Sequence, residues 1–478
     1  MTPRLVGLVI ALPLVLLLIV FTGPSFAVLR QPLCQALGHV AIDTLSSGCA
    51  ASAHARTSLE AGHEAAKRRA LREALGHYRV AAAASPQLAD VHMAQGEAAE
   101  TLGEYEEARA AYRRALEAKP TPQARVRLGM TAEALGETDA AVHALQGAYG
   151  TWEDHARVAG RGAGLAFGAC APGHWNDPTG MWHTCVGGAR AAWHRWLEAS
   201  RERVPSYVFR VLVDADRRDE ALALARERGW LRDDIQYCGR HEPLDVETAA
   251  LLAMLTQPDR ADCVLRTAVT IADNGAARLG RMMLLDRIAN SRSAETREAA
   301  SYLLRYRLPD HDVPKLAESL NVTGWRLQHV HDSPDEALAV FQRAIEADPR
   351  FSWPHHNVGR LYMARQDYEQ ALVWLTRALE INPDHWRALY NYGVTNYRLK
   401  RYPEALTAYR KALAISPNDG GLHANVGWVL IQLGQEMEGE RELQVALRLD
   451  PSLRAERDYL NARYGRDARG GATPFSTR

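Results

Sequence analysis

Small and apolar residues recur every 34 residues along the C-terminal third of the chain. Prolines mark this period, each directly after an Asp, Asn or Ser, at Pro349, Pro383, Pro417 and Pro451. Small residues keep the same phase, namely Gly359, Gly393, Gly427, Ala344, Ala378, Ala412 and Ala446. A fixed period of this kind predicts stacked units that bury their apolar faces against their neighbours. The proline ends the second helix of a unit because it cannot continue one.

Each period predicts a pair of helices. Three complete blocks follow one another, 352–383, 386–417 and 420–451. In the first block Gly359 falls on the first helix and Ala371 on the second, whereas the last block has Gly439 where a small alanine is expected. Before them, 337–349 predicts a second helix, and its first helix is degenerate in sequence. The same period returns near the N-terminus, where Gly62 and Gly96 lie 34 residues apart.

This pattern resembles the tetratricopeptide repeat, a helix-turn-helix family with the signature W-x2-L-G-x2-Y…A-x3-F…P. The resemblance implies an all-α fold, an α-solenoid of repeats in two arrays with an irregular helical centre. We place the arrays at 55–150 and 318–464, the centre at 151–317, and a disordered tail at 465–478. The family resemblance also implies that a partner protein or peptide binds in a concave groove.

The central region 151–317 shows no clean period. Glycine, tryptophan and proline are frequent between Gly160 and Gly188, which predicts an ordered loop insertion rather than one helix. Helical stretches are predicted at Ala189–Arg203, Tyr207–Ala215, Arg218–Arg228, Val246–Thr256, Arg260–Asp273, Ala276–Asn290 and Ala294–Tyr306. Two interpretations stay open here: one continuous solenoid with an irregular centre, or a separate globular domain.

The first 27 residues predict a membrane segment. No charged residue occurs between Arg4 and Arg30, and the apolar run from Leu5 to about Gly23 is long enough to span a bilayer as a transmembrane helix. A cleaved signal peptide, cut after Ala27, is the competing interpretation. Both send the rest of the chain across the membrane. We therefore expect a single-pass protein of a bacterial inner membrane facing the periplasm, or a protein released there after cleavage.

Six cysteines support an oxidising compartment, Cys34, Cys49, Cys170, Cys185, Cys238 and Cys263. We predict disulfides between Cys34 and Cys49 and between Cys170 and Cys185, although six buried thiols remain the alternative. His174 and His183 lie between the second pair and offer metal ligands, but the spacing matches no standard zinc site. We therefore expect neither a bound metal nor a cofactor.

The sequence offers little support for an enzyme. It contains no G-x-S-x-G, no H-E-x-x-H and no deaminase signature. His355 and His356 are interpreted as solvated or packed histidines on a helix surface. The formal net charge is zero, so nucleic acid is not an expected partner.

One row of residues predicts a binding surface. Asn357, Asn391 and Asn425 stand two residues before the repeated glycines, on the side that would line the groove. Amides donate and accept hydrogen bonds, so such a row can hold a peptide backbone, and it resembles the asparagine ladder of O-linked N-acetylglucosamine transferases. Aromatic and basic candidates surround it: Trp353, Arg360, Arg387, Tyr390, Arg398 and Trp428. The N-terminal array has Glu60, Ala94 and Arg127 at the equivalent position.

Two functional hypotheses follow from these patterns. The favoured one is a non-catalytic, membrane-anchored scaffold that binds a partner protein or peptide in the groove of the C-terminal array. The alternative is an accessory enzyme or metal-binding protein with its site in region 160–263.

Overall fold

The computed structural model describes residues 43–148, 204–231, 245–257, 261–273 and 276–464. Every regular element in these ranges is an α-helix, as the repeat period predicts. The predicted membrane segment, the loop insertion 160–188 and the tail 465–478 lie outside them. Among the helices of the described ranges, none combines the length and the apolar character that a membrane span requires.

The described residues form two compact units. The first contains the residues up to Arg228 together with His329–Ser333, and the second contains Gly229–Gln328 and the chain from Pro334 onward. The helices of the first unit are α1 Asp43–Lys67, α2 Leu71–Ala84, α3 Ala89–Thr101, α4 Tyr105–Ala118, α5 Pro122–Ala134, α6 138–148, α7 204–214 and α8 Arg218–Glu227.

The second unit begins with helices from the central region, α9 Val246–Thr256, α10 Ala261–Asp273, α11 Ala277–Asn290 and α12 Ala294–Arg307. The C-terminal array follows as α13 Lys315–His329, α14 Pro334–Ala347, α15 Ser352–Ala364, α16 Tyr368–Ile381, α17 Trp386–Arg398, α18 Tyr402–Ile415, α19 Gly420–Gln432, α20 Glu436–Leu449 and α21 Arg454–Tyr464.

Each repeat is closed by one large side chain that rests on a glycine of the preceding helix. Tyr409 on α18 lies against Gly393 on α17, so that a Cβ added at Gly393 would sit 2.5 Å from the tyrosine ring. The same pairing recurs at Gly62 with Tyr78, Gly96 with Tyr112, Gly129 with Leu145, Gly324 with Phe341, Gly359 with Leu375 and Gly427 with Leu443. The repeated glycines are therefore contact points where a Cβ would force the two helices apart.

The structure explains why the third complete repeat has Gly439 where an alanine is expected. A Cβ at Gly439 would lie 2.7 Å from the carbonyl oxygen of Gly427 and 2.8 Å from the side chain of Ile431. Because α19 and α20 approach more closely than a methyl group permits, only glycine fits at this position.

The turn inside each repeat uses a left-handed residue. Gln366, Lys400 and Gly434 have φ values of 61°, 60° and 79°. The amide of Gln366 donates to the carbonyl of Met363 at 2.9 Å, and Asp367 donates to Tyr362 at 3.0 Å. These bonds satisfy carbonyl groups that the end of the helix would otherwise leave unpaired.

A buried arginine fixes the start of the second unit. Arg287 on α11 is fully buried and donates to the carbonyls of Met254 at 2.8 Å and Gln257 at 3.4 Å, at the end of α9. It also pairs with Asp286 at 2.6 Å. The guanidinium is therefore paired and hydrogen-bonded, as a buried charge must be.

Cys263 on α10 is disulfide-bonded. The side chains of the other five cysteines lie outside the described part of the chain, so the two predicted pairings stay predictions.

Candidate binding face of the C-terminal array

Three successive first helices, α15, α17 and α19, position the asparagine row. Asn357 stands two residues before Gly359, which faces the second helix of its own repeat. Two residues correspond to about 200° around a helix, so the asparagine side chain points away from that second helix. Helix geometry therefore puts the row on the side of each first helix that lies opposite its second helix.

The structure shows what the asparagines contact there. Asn357 is buried, and its amide nitrogen donates to the side-chain oxygen of Asn321 on α13 at 2.9 Å. The amide nitrogen of Asn391 lies 2.7 Å from Nε2 of His356 on α15. Two of the three asparagines thus bond to the first helix of the preceding repeat. The third, Asn425, is half-buried. The role of the row in holding a partner stays a prediction.

Two buried histidines lie beside the row. The rings of His356 and His385 have centroids 5.1 Å apart. His385 is the N-cap residue of α17, where Nδ1 accepts from the amide of Ala388 at 3.4 Å. Its Nε2 is buried without a hydrogen-bond partner among the described residues. The sequence interpretation put His355 and His356 at the surface of α15, but both side chains are buried in the structure.

Burial keeps both histidine rings neutral. It lowers the pKa of His385 to about 3, with the positive charge of Arg387 as a second cause. Burial also lowers the pKa of His356 well below its ordinary value, and His385, Arg360 and Arg387 add to this effect. A neutral ring is consistent with the contact to Asn391, since the amide nitrogen needs an unprotonated acceptor.

Two arginines and two tryptophans complete this part of the face. Burial lowers the pKa of the Arg360 guanidinium, and the charge of Arg387 on the next repeat lowers it further. The Arg387 guanidinium lies 5.3 Å from the centre of the Trp386 ring. Trp353 stacks on Phe351 at 5.9 Å, and its ring centroid lies 6.4 Å from that of His385. Trp353, Arg360, Arg387 and Asn391 therefore lie in one cluster around the two buried histidines.

The remaining candidates are placed differently. Tyr390 packs against the core of its repeat, with its ring 6.2 Å from that of Tyr409. Arg398 is exposed at the end of α17. Trp428 on α19 donates from its ring nitrogen to Glu456 at 2.9 Å and meets the ring of Tyr459 edge-on at 5.0 Å. Helix α21 thus covers this tryptophan, which the sequence had placed in an open groove.

The structure adds three residues that sequence reasoning missed, His356, His385 and Trp386. One signal was present, because His356 directly precedes the first asparagine of the row. Nothing in the repeat pattern distinguishes His385 or Trp386, which lie where one repeat joins the next.

The equivalent side of the N-terminal array carries other chemistry. Arg127 on α5 lies 3.4 Å from Glu100 and 3.9 Å from Glu97, both on α3. Tyr112 donates to Glu100 at 2.7 Å. Burial raises the pKa of Glu97. In this network the arginine is paired with two glutamates. The C-terminal cluster instead combines two arginines with two neutral histidines.

No group of three or more His, Cys, Asp or Glu side chains that could hold a metal occurs within the described ranges. Region 160–263, where the alternative hypothesis puts its site, lies mostly outside those ranges.

Comparison with known proteins identifies the repeats. The tetratricopeptide repeat family model matches residues 59–124, 93–156 and 358–420. The chain carries tetratricopeptide repeats. The first two matches fall on helices α1–α6, and the third covers helices α15–α18 of the C-terminal tetratricopeptide array. No curated protein matches the chain.

The solved structures that match the chain include several MamA proteins. MamA AMB-1 is 21% identical over 42% of this chain and 97% of its own, with a TM-score of 0.26. MamA from Desulfovibrio magneticus RS-1 is 16% identical over 41% of this chain and 97% of its own, with a TM-score of 0.27. At these TM-scores the matches carry no argument about arrangement or function.

Proposed function

We propose that this protein is a non-catalytic scaffold that holds a partner protein or peptide against the C-terminal tetratricopeptide array. The observation that carries the proposal is the cluster formed by Trp353, Arg360, Arg387 and Asn391 with the two buried histidines. Aromatic and arginine side chains are enriched at protein interfaces. The cluster spans two successive repeats, because Trp353 and Arg360 lie on α15 and Arg387 and Asn391 lie on α17.

The chemistry of the cluster favours oxygen atoms of a partner. Guanidinium groups donate only, and they bind carbonyl and carboxylate oxygens with charge-assisted hydrogen bonds. Arg360 and Arg387 come from successive repeats and are close enough for one to lower the pKa of the other. A partner oxygen placed between them would relieve that repulsion.

The arginines test the proposal through their charge, which the asparagines lack. Replacing Asn357 or Asn391 by alanine would leave Asn321 or His356 without its bonding partner inside the fold. A buried polar group left unpaired costs about 1–3 kcal/mol, so such variants mix stability with binding.

We predict that Arg360→Ala combined with Arg387→Ala weakens partner binding by at least about a hundredfold. Each charge-assisted hydrogen bond contributes about 1.5–3 kcal/mol, and two are lost. The full chain would be used to capture proteins from membrane extracts of its native cells, followed by quantitative mass spectrometry. Arg377→Ala is the matched control, because Arg377 lies on α16 and pairs with Glu380 at 3.0 Å. A partner that the double variant retains as well as the control does would refute the proposed face.

We also propose that residues 5–23 stay in the membrane as an anchor and hold the arrays on its periplasmic side. Support comes from the length of the uncharged run, which exceeds the roughly 7–15 residues of a signal peptide's apolar region. Intact-mass measurement of the membrane-extracted protein is expected to find the N-terminus before Leu5. A mature chain that begins at Val28 would contradict the anchor.

A further inference from the structure

The connections between successive repeats of the C-terminal array form one edge. We call residues 348–351, 382–385 and 416–419 the loop edge; each connection follows a second helix and precedes the next first helix. The three connections lie 34 residues apart in the sequence. The loop edge therefore offers similar backbone groups at three successive places.

The chain crosses this edge before the array begins. His311 binds Asp348 at 2.6 Å, at the first connection. Val313 is buried in a small apolar cluster with Phe351 and with Ala317 of α13. This part of the crossing segment is anchored by apolar burial.

Helix α12 continues the crossing to the next two connections. Arg305 donates to Asp384 at 3.0 Å, and the Arg307 guanidinium lies 4.5 Å over the Trp386 ring. At the third connection Arg307 lies 3.4 Å from the hydroxyl of Ser416, and Tyr302 donates to the carbonyl of Ile415. Between these contacts Tyr306 packs against the core of the repeats.

The contacts of α12 with the loop edge are mostly polar, and the ion pair among them is open to water. The side chain of Arg305 is 67% exposed and that of Asp384 is 36% exposed. Tyr302 is also exposed, and the buried residues of α12 are Thr296 and Ala300. Because exposed ion pairs add little stability, the end of this helix is held more weakly than the apolar segment that follows it.

We propose that the loop edge is a binding surface for a helix with two tyrosines one turn apart and arginines beside the second. We further propose that α12 occupies this surface as an internal ligand that can be displaced. A covalently attached segment acts at an effective concentration on the order of millimolar, so an external helix competes only when α12 is weakened or outmatched.

The proposal identifies the kind of partner by the contacts that α12 makes. The Tyr302 hydroxyl bonds the carbonyl of Ile415 that ends α18, Arg305 binds Asp384, and the Arg307 guanidinium stacks on Trp386. The effect of α12 on partner access rests on the proposed function, whereas the binding of α12 to the loop edge does not.

A labelled peptide tests the inference directly. The probe is a fluorescent synthetic peptide with the sequence of residues 294–313, titrated against the full-length chain and followed by fluorescence anisotropy. We expect it to bind the triple variant Tyr302→Ala, Arg305→Ala, Arg307→Ala at least tenfold more tightly than the parent, whose surface is covered. Arg305→Ala alone, at an exposed position, should give at least a threefold gain without disturbing the fold.

Arg297→Ala is the matched control on the same helix. Its guanidinium donates to the carbonyls of Ser291 and Arg292, away from the loop edge, so this variant should bind the peptide as weakly as the parent does. A peptide with the same three alanines should not bind any form. Equal binding to parent and triple variant, or no binding to either, overturns the inference.

The two proposals fail separately. If the peptide test fails but partner capture is normal, the proposal that α12 is an internal ligand is wrong and the proposed scaffold function stands. If the peptide binds as expected but the Arg360 and Arg387 changes leave partner capture unaffected, the proposed binding face is wrong and the loop-edge proposal stands.

Discussion

Replacing Tyr409 by alanine is expected to lower the free energy of unfolding of the second unit by about 3–5 kcal/mol. The side chain is almost fully buried and rests on Gly393, so its loss leaves a cavity between α17 and α18. Urea unfolding followed by circular dichroism measures the change. The same experiment on Tyr112→Ala should give a similar loss in the first unit, because Tyr112 rests on Gly96 in the same way.

The contact between Tyr409 and Gly393 predicts a strong coupling. Gly393→Ala alone is expected to cost about 1–3 kcal/mol, because its Cβ meets the tyrosine ring. In the Tyr409→Ala background the same change should cost much less, since the obstructing ring is gone. Gly76→Ala on α2 is the control: nothing lies within 4 Å of its added Cβ. That change should be neutral or stabilising by up to about 1 kcal/mol. Additive costs for the Gly393 and Tyr409 changes would disprove the glycine contact.

The second unit is expected to lose about 2 kcal/mol of stability between pH 6.5 and pH 5 from His385 alone, and His356 adds a loss of the same sign. The folded state holds His356 and His385 neutral, and their pKa values lie below the ordinary 6.5, at about 3 for His385. The unfolded state therefore takes up the extra protons as the pH falls through 6.5. Below pH 6.5 His385 contributes up to about 1.4 kcal/mol per pH unit and His356 acts in the same direction, so this stability is fully present only above pH 6.5.

Urea unfolding at several pH values measures this loss. The variant with His356→Gln and His385→Asn is the control, because both replacements can still accept a hydrogen bond but do not titrate. It should lose most of the pH dependence above pH 5, where carboxylates remain ionised. A parent protein whose stability stays flat from pH 7 to pH 5 would show that the two rings are not held neutral.

Local sequence signals predicted the helices well. The segment Val246–Thr256 was predicted with the bounds that the structure gives, and Ala294–Tyr306 differs from α12 by one residue. The 34-residue period predicted the pairing of helices in both arrays and five of the glycine contacts, at Gly62, Gly96, Gly359, Gly393 and Gly427. Such features depend on residues close in the chain, which is why periodicity finds them.

Contacts between residues far apart in the chain could not be predicted from the sequence. Arg305 and Asp384 are 79 residues apart, and Tyr302 and Ile415 are 113 residues apart. A repeat pattern describes how neighbouring units stack, and it carries no information about a helix that crosses several of them. The coverage of Trp428 by α21 and the burial of His356 have the same origin, because both depend on which surfaces neighbouring elements leave open.

For the asparagine row, position in the repeat predicts the side of the helix but not the hydrogen-bond partners. Its side of the helix follows from the angle between Asn357 and Gly359. Its hydrogen bonds depend on Asn321 and His356, which the period does not fix. The proposed face is therefore tested through the charged side chains of Arg360 and Arg387.

Site-specific photo-crosslinking tests the central claim most directly. A photoreactive amino acid placed at Arg398, exposed at the end of α17, should link the full-length chain to one dominant partner in its native cells. The same group at Arg377 on α16 should give no such product. Crosslinking to that partner from Arg377 but not from Arg398 would contradict the claim that this face of the C-terminal array is the binding arm.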